Sequence, residues 1–160
     1  MIRKVKLSDA SAIAEIYNFH VYNTIVTFDL IPVSASEMKE TIQNVIKKYP
    51  WFVYEIDNKV VGYAYASYWK TRSAYDATVE SSIYISEKAI GNGIGKQLYN
   101  HLLNELKQQK IHAVIGGISL PNKASVAIHE KFGFKKVAHF TEVGFKFNKW
   151  IDVGYWQLTL

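Results

Sequence analysis

The segment IGNGIG, residues 90–95, constrains this chain more than any other stretch. Its glycines stand directly after a strand-like run and directly before an amphipathic helix whose apolar stripe is Ile94, Leu98, Leu102 and Leu106. Glycine lets the backbone turn sharply and lets a ligand come close, while successive N–H groups and the positive end of the helix dipole converge on one point. Such a turn can seat an anion of the pyrophosphate type. An ordinary glycine-rich turn has the same spelling, so its surroundings matter. The turn follows the fourth predicted strand, not the first, and the next strand, residues 113–119, ends without the acidic residue that would hold a dinucleotide ribose. The GxxxxGK[ST] pattern of a nucleoside triphosphate loop is absent.

Around that turn, helix-like and strand-like segments alternate over the whole chain, which predicts a single α/β (α+β) domain spanning residues 1–160. Residues 3–6 read as a strand, and Ser8 or Asp9 can cap a helix that buries Ile13, Ile16 and Tyr17. Residues 19–33 have no clean period and read as an ordered loop. Ser34 and Glu37 spell a capping box for a helix burying Met38, Ile42 and Val45 or Ile46 and stopping before Pro50. A hairpin follows, residues 51–56 and 60–68 around Asp57-Asn58-Lys59. After a polar loop at 69–76 comes a strand at 77–86. A helix at 122–131 is ended by Gly133, and two closing strands are predicted at 134–140 and 152–160.

Composition removes several function classes. The chain has no cysteine, which excludes disulfide scaffolds, thiolate zinc sites and cysteine nucleophiles, and its five histidines lack metal-ligand spacing, so no metal is expected. The net charge of +5 is dispersed rather than gathered into a stripe, so no nucleic-acid partner is expected. No apolar run is long enough for a membrane span and the N-terminus lacks a signal-peptide core, so a soluble cytoplasmic protein with no membrane partner is expected.

One carboxylate stands out. In the strand at 77–86, Thr78, Glu80, Ser82 and Tyr84 share one face and Val79, Ser81, Ile83 and Ile85 the other. Glu80 is the only charge in that strand, and a mid-sheet carboxylate is costly unless it is paired or faces a cleft. Burial would raise its pKa and suit it to general-base work near neutral pH, although a solvated sheet face is also compatible with the spacing. Arg72, Tyr75 and Thr78 just upstream can offer a cation and hydroxyls to an anionic substrate. Asn122 opens the later helix and can bond a polar ligand, with His129 further along it.

These residues resemble the GNAT N-acetyltransferases: a strand, a glycine turn and helix, then N-x-x-[AS]-x-x-x-[YH]-x-x-x-G-F at 122–134. More narrowly, RSAYDATVESSIYI (72–85), IYN (16–18), TFDL (27–30), SVAIHEKFGF (125–134) and GFKFNKWIDVGYWQ (144–157) resemble the phosphinothricin and methionine sulfoximine acetyltransferase branch, in the same order. The resemblance implies a mixed, mostly antiparallel sheet splayed between strands 4 and 5, with acetyl-CoA as co-substrate. Its pyrophosphate would sit on Gly91, Asn92, Gly93, Ile94, Gly95 and Lys96, and its pantetheine arm on the main chain of Ile83, Tyr84 and Ile85, with Asn122 in contact. Ile90 departs from the Gln or Arg usual at the start of that motif. The resemblance further implies Glu80 as the base that deprotonates the amine and His129 as a possible acid for the leaving thiolate. It implies a small amino acid analogue as acceptor, held by Arg72, Tyr75 and Thr78, walled by Phe28 and Trp150, with Lys146 favouring an anionic tail. A homodimer is also implied. Other acceptors (a peptide N-terminus, a polyamine) and a non-catalytic acyl-CoA-binding module are the alternatives.

Overall fold

In a computed structural model describing residues 1–160, the strands are β1 (Ile2–Lys4), β2 (Trp51–Ile56), β3 (Lys59–Tyr68), β4 (Thr78–Ile85), β5 (Ala113–Leu120), β6 (Lys135–Lys146) and β7 (Lys149–Thr159). The helices are α1 (Ala10–Asn23), α2 (Ala35–Val45), α3 (Ile94–Gln108) and α4 (Lys123–Lys131). Local chemistry sets several of these. Asp57 and Asn58 both take positive φ (48° and 60°), which suits the tight turn joining β2 to β3. Ser34 and Glu37 complete the expected capping box at the start of α2.

The strands form one sheet in the order β1-β2-β3-β4-β5-β7-β6. Every neighbouring pair is antiparallel except β4 and β5, which run parallel. That pair is joined only at Thr78–Ala113, Val79–Val114 and Glu80–Ile115, and beyond it the strands part. The sheet is covered on both faces. On one face α3 lays Leu98, Leu102 and Leu106, all fully buried, against Phe52, Ala64, Val79 and Val114. On the other, α1 and α2 bring Ile13 and Ile42 against Trp51, Val53 and Tyr63.

Three expectations are corrected. Helix α1 runs on to Asn23, through residues expected to be loop, because His20 and Val21 continue its buried face and tertiary burial overrides their weak helix propensity. Asp9 does not cap that helix with its side chain; its carboxylate instead accepts two bonds from Arg3 (2.7 and 2.9 Å) and one from the Lys6 N–H (2.8 Å). The last two strands reach toward each other as far as Lys146 and Lys149, well past the predicted ends, around a turn in which Phe147 and Asn148 have φ of 52° and 56°. Strand β6 is exposed on both faces for most of its length, so its residues do not alternate and leave no period-2 signal.

Candidate active site

Where β4 and β5 separate, each strand exposes main-chain groups that a continuous sheet would have paired. Ser86 N–H donates to Val61 O, and antiparallel pairs alternate, so Ser82 and Tyr84 place their main-chain groups in the β3 ladder. Ser81, Ile83 and Ile85 turn theirs toward the gap. Two side chains close its ends. The Ser81 hydroxyl lies 2.7 Å from the Tyr99 hydroxyl and 3.4 Å from Ile115 O, and His20 Nε2 lies 3.2 Å from Ile85 O. Between them the main chain of Ile83 stays open, so of the strand residues expected to hold a pantetheine arm, Ile83 is the best presented. Tyr84 is instead a side-chain wall, with its ring against Tyr17 and Tyr63.

The gap opens into a cavity of about 560 Å³. It is lined from β4 by Glu80 to Tyr84, from β5 by Gly117 to Ser119, from α4 by Asn122, Ser125 and His129, from the loop after α1 by Val26, Thr27 and Phe28, and from the last two strands by Phe140, Val143, Val153 and Tyr155.

On the α3 side, the glycine turn adjoins this gap. Gly91 and Gly93 have φ of +88° and +71°, the left-handed region where a side chain is strained, and the space beside both is open. Helix α3 has no side-chain cap, so its first N–H groups lack partners in the protein. The Asn92 side chain braces the turn by donating to Ala89 O (3.3 Å). Ile94 is buried in the core and Lys96 is exposed. Gly95 lets Ile128, Ile83 and Ile85 close within 4.0 Å of where a side chain would begin, which joins the turn to the splayed strand. This cradle of free N–H groups and open backbone fits a diphosphate followed by a narrow amide-bearing arm. Asn122 caps α4, its Oδ1 accepting from Ser125 N–H (3.1 Å), and lines the cavity with its amide nitrogen free of that bond.

His129 is almost fully buried beside that cap. Its Nδ1 lies 2.7 Å from Ser125 O; a carbonyl only accepts, so Nδ1 carries the proton. Burial lowers the ring's pKa, opposed by that carbonyl, so the ring is neutral at pH 7 with its Nε2 lone pair toward Gly116, where a side chain would strike the ring. A neutral imidazole whose one proton is held by a carbonyl is better suited to accepting a bond than to delivering a proton.

On the α1 side stands Glu80, at the last paired position before the strands part. Burial raises its pKa above the ordinary carboxylate range, with Lys70 opposing. Gly117 leaves it room: a side chain there would begin 3.2 Å from Glu80 Oε1 and 3.1 Å from Tyr155 Cε1. Burial, and then the Glu80 charge, raise the Tyr155 pKa, so this phenol keeps its proton next to the carboxylate.

The other predicted site residues divide. Phe28 lines the cavity, its ring laid over Gly144. Arg72, Tyr75, Thr78, Lys146 and Trp150 do not line it. Arg72 and Tyr75 sit in the exposed turn leading into β4, and Thr78 is held in the β4–β5 ladder below the gap. Trp150 is 62% exposed and packs on Phe145 at the far end of the β6–β7 hairpin. Lys146 is 3% exposed, and its ammonium donates to Thr27 O (2.8 Å) and His20 O (3.4 Å). It therefore ties a loop in place and offers no charge to a ligand's tail. Sequence reasoning missed Tyr155, Gly117, Phe140 and Val143. Tyr155 lies inside the 144–157 block, and its alternation with buried Trp156 was the available signal that it faces the opposite side.

Comparison with known proteins agrees with this geometry. A family model described as an acetyltransferase (GNAT) domain matches residues 2–154. The chain is 37% identical to a phosphinothricin N-acetyltransferase of Streptomyces viridochromogenes, over 98% of this chain and 85% of that protein. It is 32% identical to an L-methionine sulfoximine/L-methionine sulfone acetyltransferase of Salmonella typhimurium, over 99% of this chain and 94% of that one. Its structure matches that of a GNAT superfamily phosphinothricin acetyltransferase from Sinorhizobium meliloti in complex with acetyl-CoA. The TM-score is 0.97 at 33% identity, covering 100% of this chain and 88% of that one.

Proposed function

The chain belongs to the GNAT acetyltransferase family, and from that premise we propose that it moves acetyl from acetyl-CoA to the α-amino group of a small amino acid analogue, of the phosphinothricin or methionine sulfoximine type, with Glu80 as general base. The observation that carries this reading is the position of the Glu80 carboxyl: at the fork of β4 and β5, partly buried, with a raised pKa, in a cavity otherwise free of ionised side chains.

The chemistry follows from that position. An α-amino group with a pKa near 8 is only about one tenth neutral at pH 7. Glu80 takes the proton from the ammonium, directly or through one water, and frees the nitrogen lone pair. The new N–C bond forms and the C–S bond breaks; the second proton that the nitrogen must shed to become an amide passes to the departing thiolate, directly or through solvent, and the proton on Glu80 returns to solvent. A thiol pKa of about 8.5 makes that departure tolerable without a strong acid, consistent with a neutral His129 that contacts the arm or the acceptor. The main-chain N–H of Ile83, turned into the gap, is suited to the negative charge that grows on the carbonyl oxygen. Gly91, Gly93 and the start of α3 hold the diphosphate, with Asn122 on the arm. Phe28 walls the acceptor, and the exposed turn that carries Arg72 and Tyr75 before β4 offers a cation and a hydroxyl to its polar groups from outside the cavity.

We further infer a homodimer acting in the cytoplasm, where acetyl-CoA is supplied. Val137, Phe140, Val143, Phe145, Phe147 and Trp150 are 49–62% exposed along the β6–β7 hairpin, at a free sheet edge. Such an apolar edge is a liability for a lone chain and is well suited to a second copy.

The decisive experiment is an acceptor panel with acetyl-CoA, reading thiol release for phosphinothricin, methionine sulfoximine, a peptide with a free N-terminus and a polyamine. Turnover of the two amino acid analogues is expected. Turnover of the peptide or polyamine alone overturns the reading.

A further inference from the structure

Away from the fork lies a second cavity, of about 310 Å³, that shares no lining residue with the first. Its walls come from the edge strand β1 (Lys4, Val5), the connection between α2 and β2 with the first residues of β2 (46–52), and the end of α3 (Glu105, Gln109). Lys4 is the direct cross-strand partner of Phe52, which packs in the core under α3, so Lys4 stands on the α3 face of the sheet.

Three cations, Lys4, Lys47 and Lys48, line this cavity against one carboxylate, Glu105, which already accepts from the Gln109 amide (3.0 Å). Neither Lys4 nor Lys47 is in an ion pair; Lys47 donates to Asn44 Oδ1 (3.0 Å). Lys47 and Lys48 follow the end of α2, where cations offset the helix dipole, but Lys4 belongs to a strand and answers to no helix end. Tyr49, Pro50 and Phe52 are buried and give the cavity an apolar floor. An apolar floor beneath three ammonium groups matches a ligand with an apolar body and one anionic end. The volume, at the small end for ligand pockets, suits a single ring with a short acidic arm.

Lys48 joins this cavity to the turn before β4. It lines the cavity, yet its ammonium lies 3.0 Å from Oδ1 of Asp76, which does not. Asp76 closes the turn that Arg72 opens: Tyr75 N–H donates to Arg72 O (2.9 Å) and Asp76 N–H to Ser73 O (3.0 Å). We propose that the cavity is an effector site for a small carboxylate with an apolar body, and that filling it draws Lys48 from Asp76 and loosens the turn carrying Arg72 and Tyr75. The effect on the acceptor rests on the acetyltransferase reading above; the site does not. Linkage is reciprocal, so releasing Lys48 from Asp76 tightens the site. Both partners of that ion pair are exposed, which limits the coupling to about two- to fivefold.

The test is calorimetry with phenylacetate as the probe, set against neutral phenylacetamide and inorganic phosphate. Phenylacetate is expected to bind about tenfold more tightly than the amide, and more tightly than phosphate. Lys4→Gln and Lys47→Gln should each weaken it by about two- to fivefold. Asp76→Asn should tighten it by a similar factor, and that gain should vanish when Lys48→Gln is also present. In turnover assays, saturating phenylacetate should raise the KM for methionine sulfoximine by about two- to fivefold and leave that for acetyl-CoA unchanged. No binding, equal binding of the amide, or affinity indifferent to Lys4 and Lys47 overturns the site. Affinity unmoved by Asp76→Asn overturns the link to the turn. A rise in KM that persists in the Lys4→Gln/Lys47→Gln double variant places the acid in the main cavity and overturns the proposal. Absence of turnover with this binding pattern intact overturns the acetyltransferase reading alone.

Discussion

On the α3 side of β4, the gap is served by main chain: two glycines with positive φ, the uncapped start of a helix and the unpaired strand at Ile83, all between residues 83 and 95. On the α1 side it is served by side chains from segments far apart in sequence. Phe28 comes from the loop after α1, Glu80 from β4, Val143 from β6 and Tyr155 from β7, with Gly117 of β5 leaving Glu80 and Tyr155 their room. Backbone geometry recognises what is common to a cofactor and tolerates changes in the side chains around it. Side chains brought together by tertiary packing define an acceptor, and each is a point at which specificity can move. The two faces should therefore fail differently when altered.

The largest separation is expected from Glu80→Gln. Loss of a general base should lower kcat/KM by about 10²–10⁴, while acetyl-CoA affinity measured by calorimetry stays within about twofold. Equal damage to both would mean that the faces are not independent. Lys146→Met should come next. Removing hydrogen bonds from a charged donor to two carbonyls should cost about 1.5–3 kcal/mol, read as a lower denaturant midpoint. The loosened Phe28 loop should also raise the acceptor KM more than that of acetyl-CoA. On the opposite face, Gly93→Ala places a side chain at φ +71° with free space around it. The strain alone should cost about 1–2 kcal/mol and weaken acetyl-CoA binding, with the acceptor KM unchanged. An acceptor defect of the same size would break the distinction.

The smallest effect is in the pH dependence. Burial raises the Glu80 pKa, so the folded chain keeps this proton over a range where the unfolded chain has released it. Stability tied to that proton is complete below the ordinary glutamate value and is lost as pH rises through the raised one. Denaturation of wild type and Glu80→Gln from acid to neutral pH should show a difference that grows with pH in favour of the glutamine variant. The acidic limb of kcat/KM should lie above the ordinary value of about 4.3. A limb at or below that value would place the base in solvent.

Much of this was legible in the chain itself, and where it was not, the cause is identifiable. The capping box at Ser34, the turn at Asp57-Asn58, the stripe of α3 and the glycine turn are local patterns, and the structure keeps them. The extension of α1 to Asn23 was hidden because its last turn is held by packing on the sheet rather than by propensity. The long β6–β7 hairpin was hidden because exposure on both faces erases alternation. Within the cavity, Glu80 showed itself as a charge in an uncharged strand. For Lys146 and Trp150 no such local signal exists, since sequence gives a residue's type but not the direction in which it points.

The amino acid order alone determined most of the elements, the glycine turn and the lone acid of β4, because each depends on neighbours a few positions away: spacing for helices and strands, glycine for the turn, a single charge in an uncharged strand. Only the tertiary structure decided that β4 and β5 part after Glu80, that Tyr155 and Gly117 stand beside it and that the ammonium of Lys146 faces inward. Those outcomes depend on contacts between segments up to 126 positions apart, as in the bond from Lys146 to His20, and a one-dimensional pattern holds no record of which distant chain will meet which.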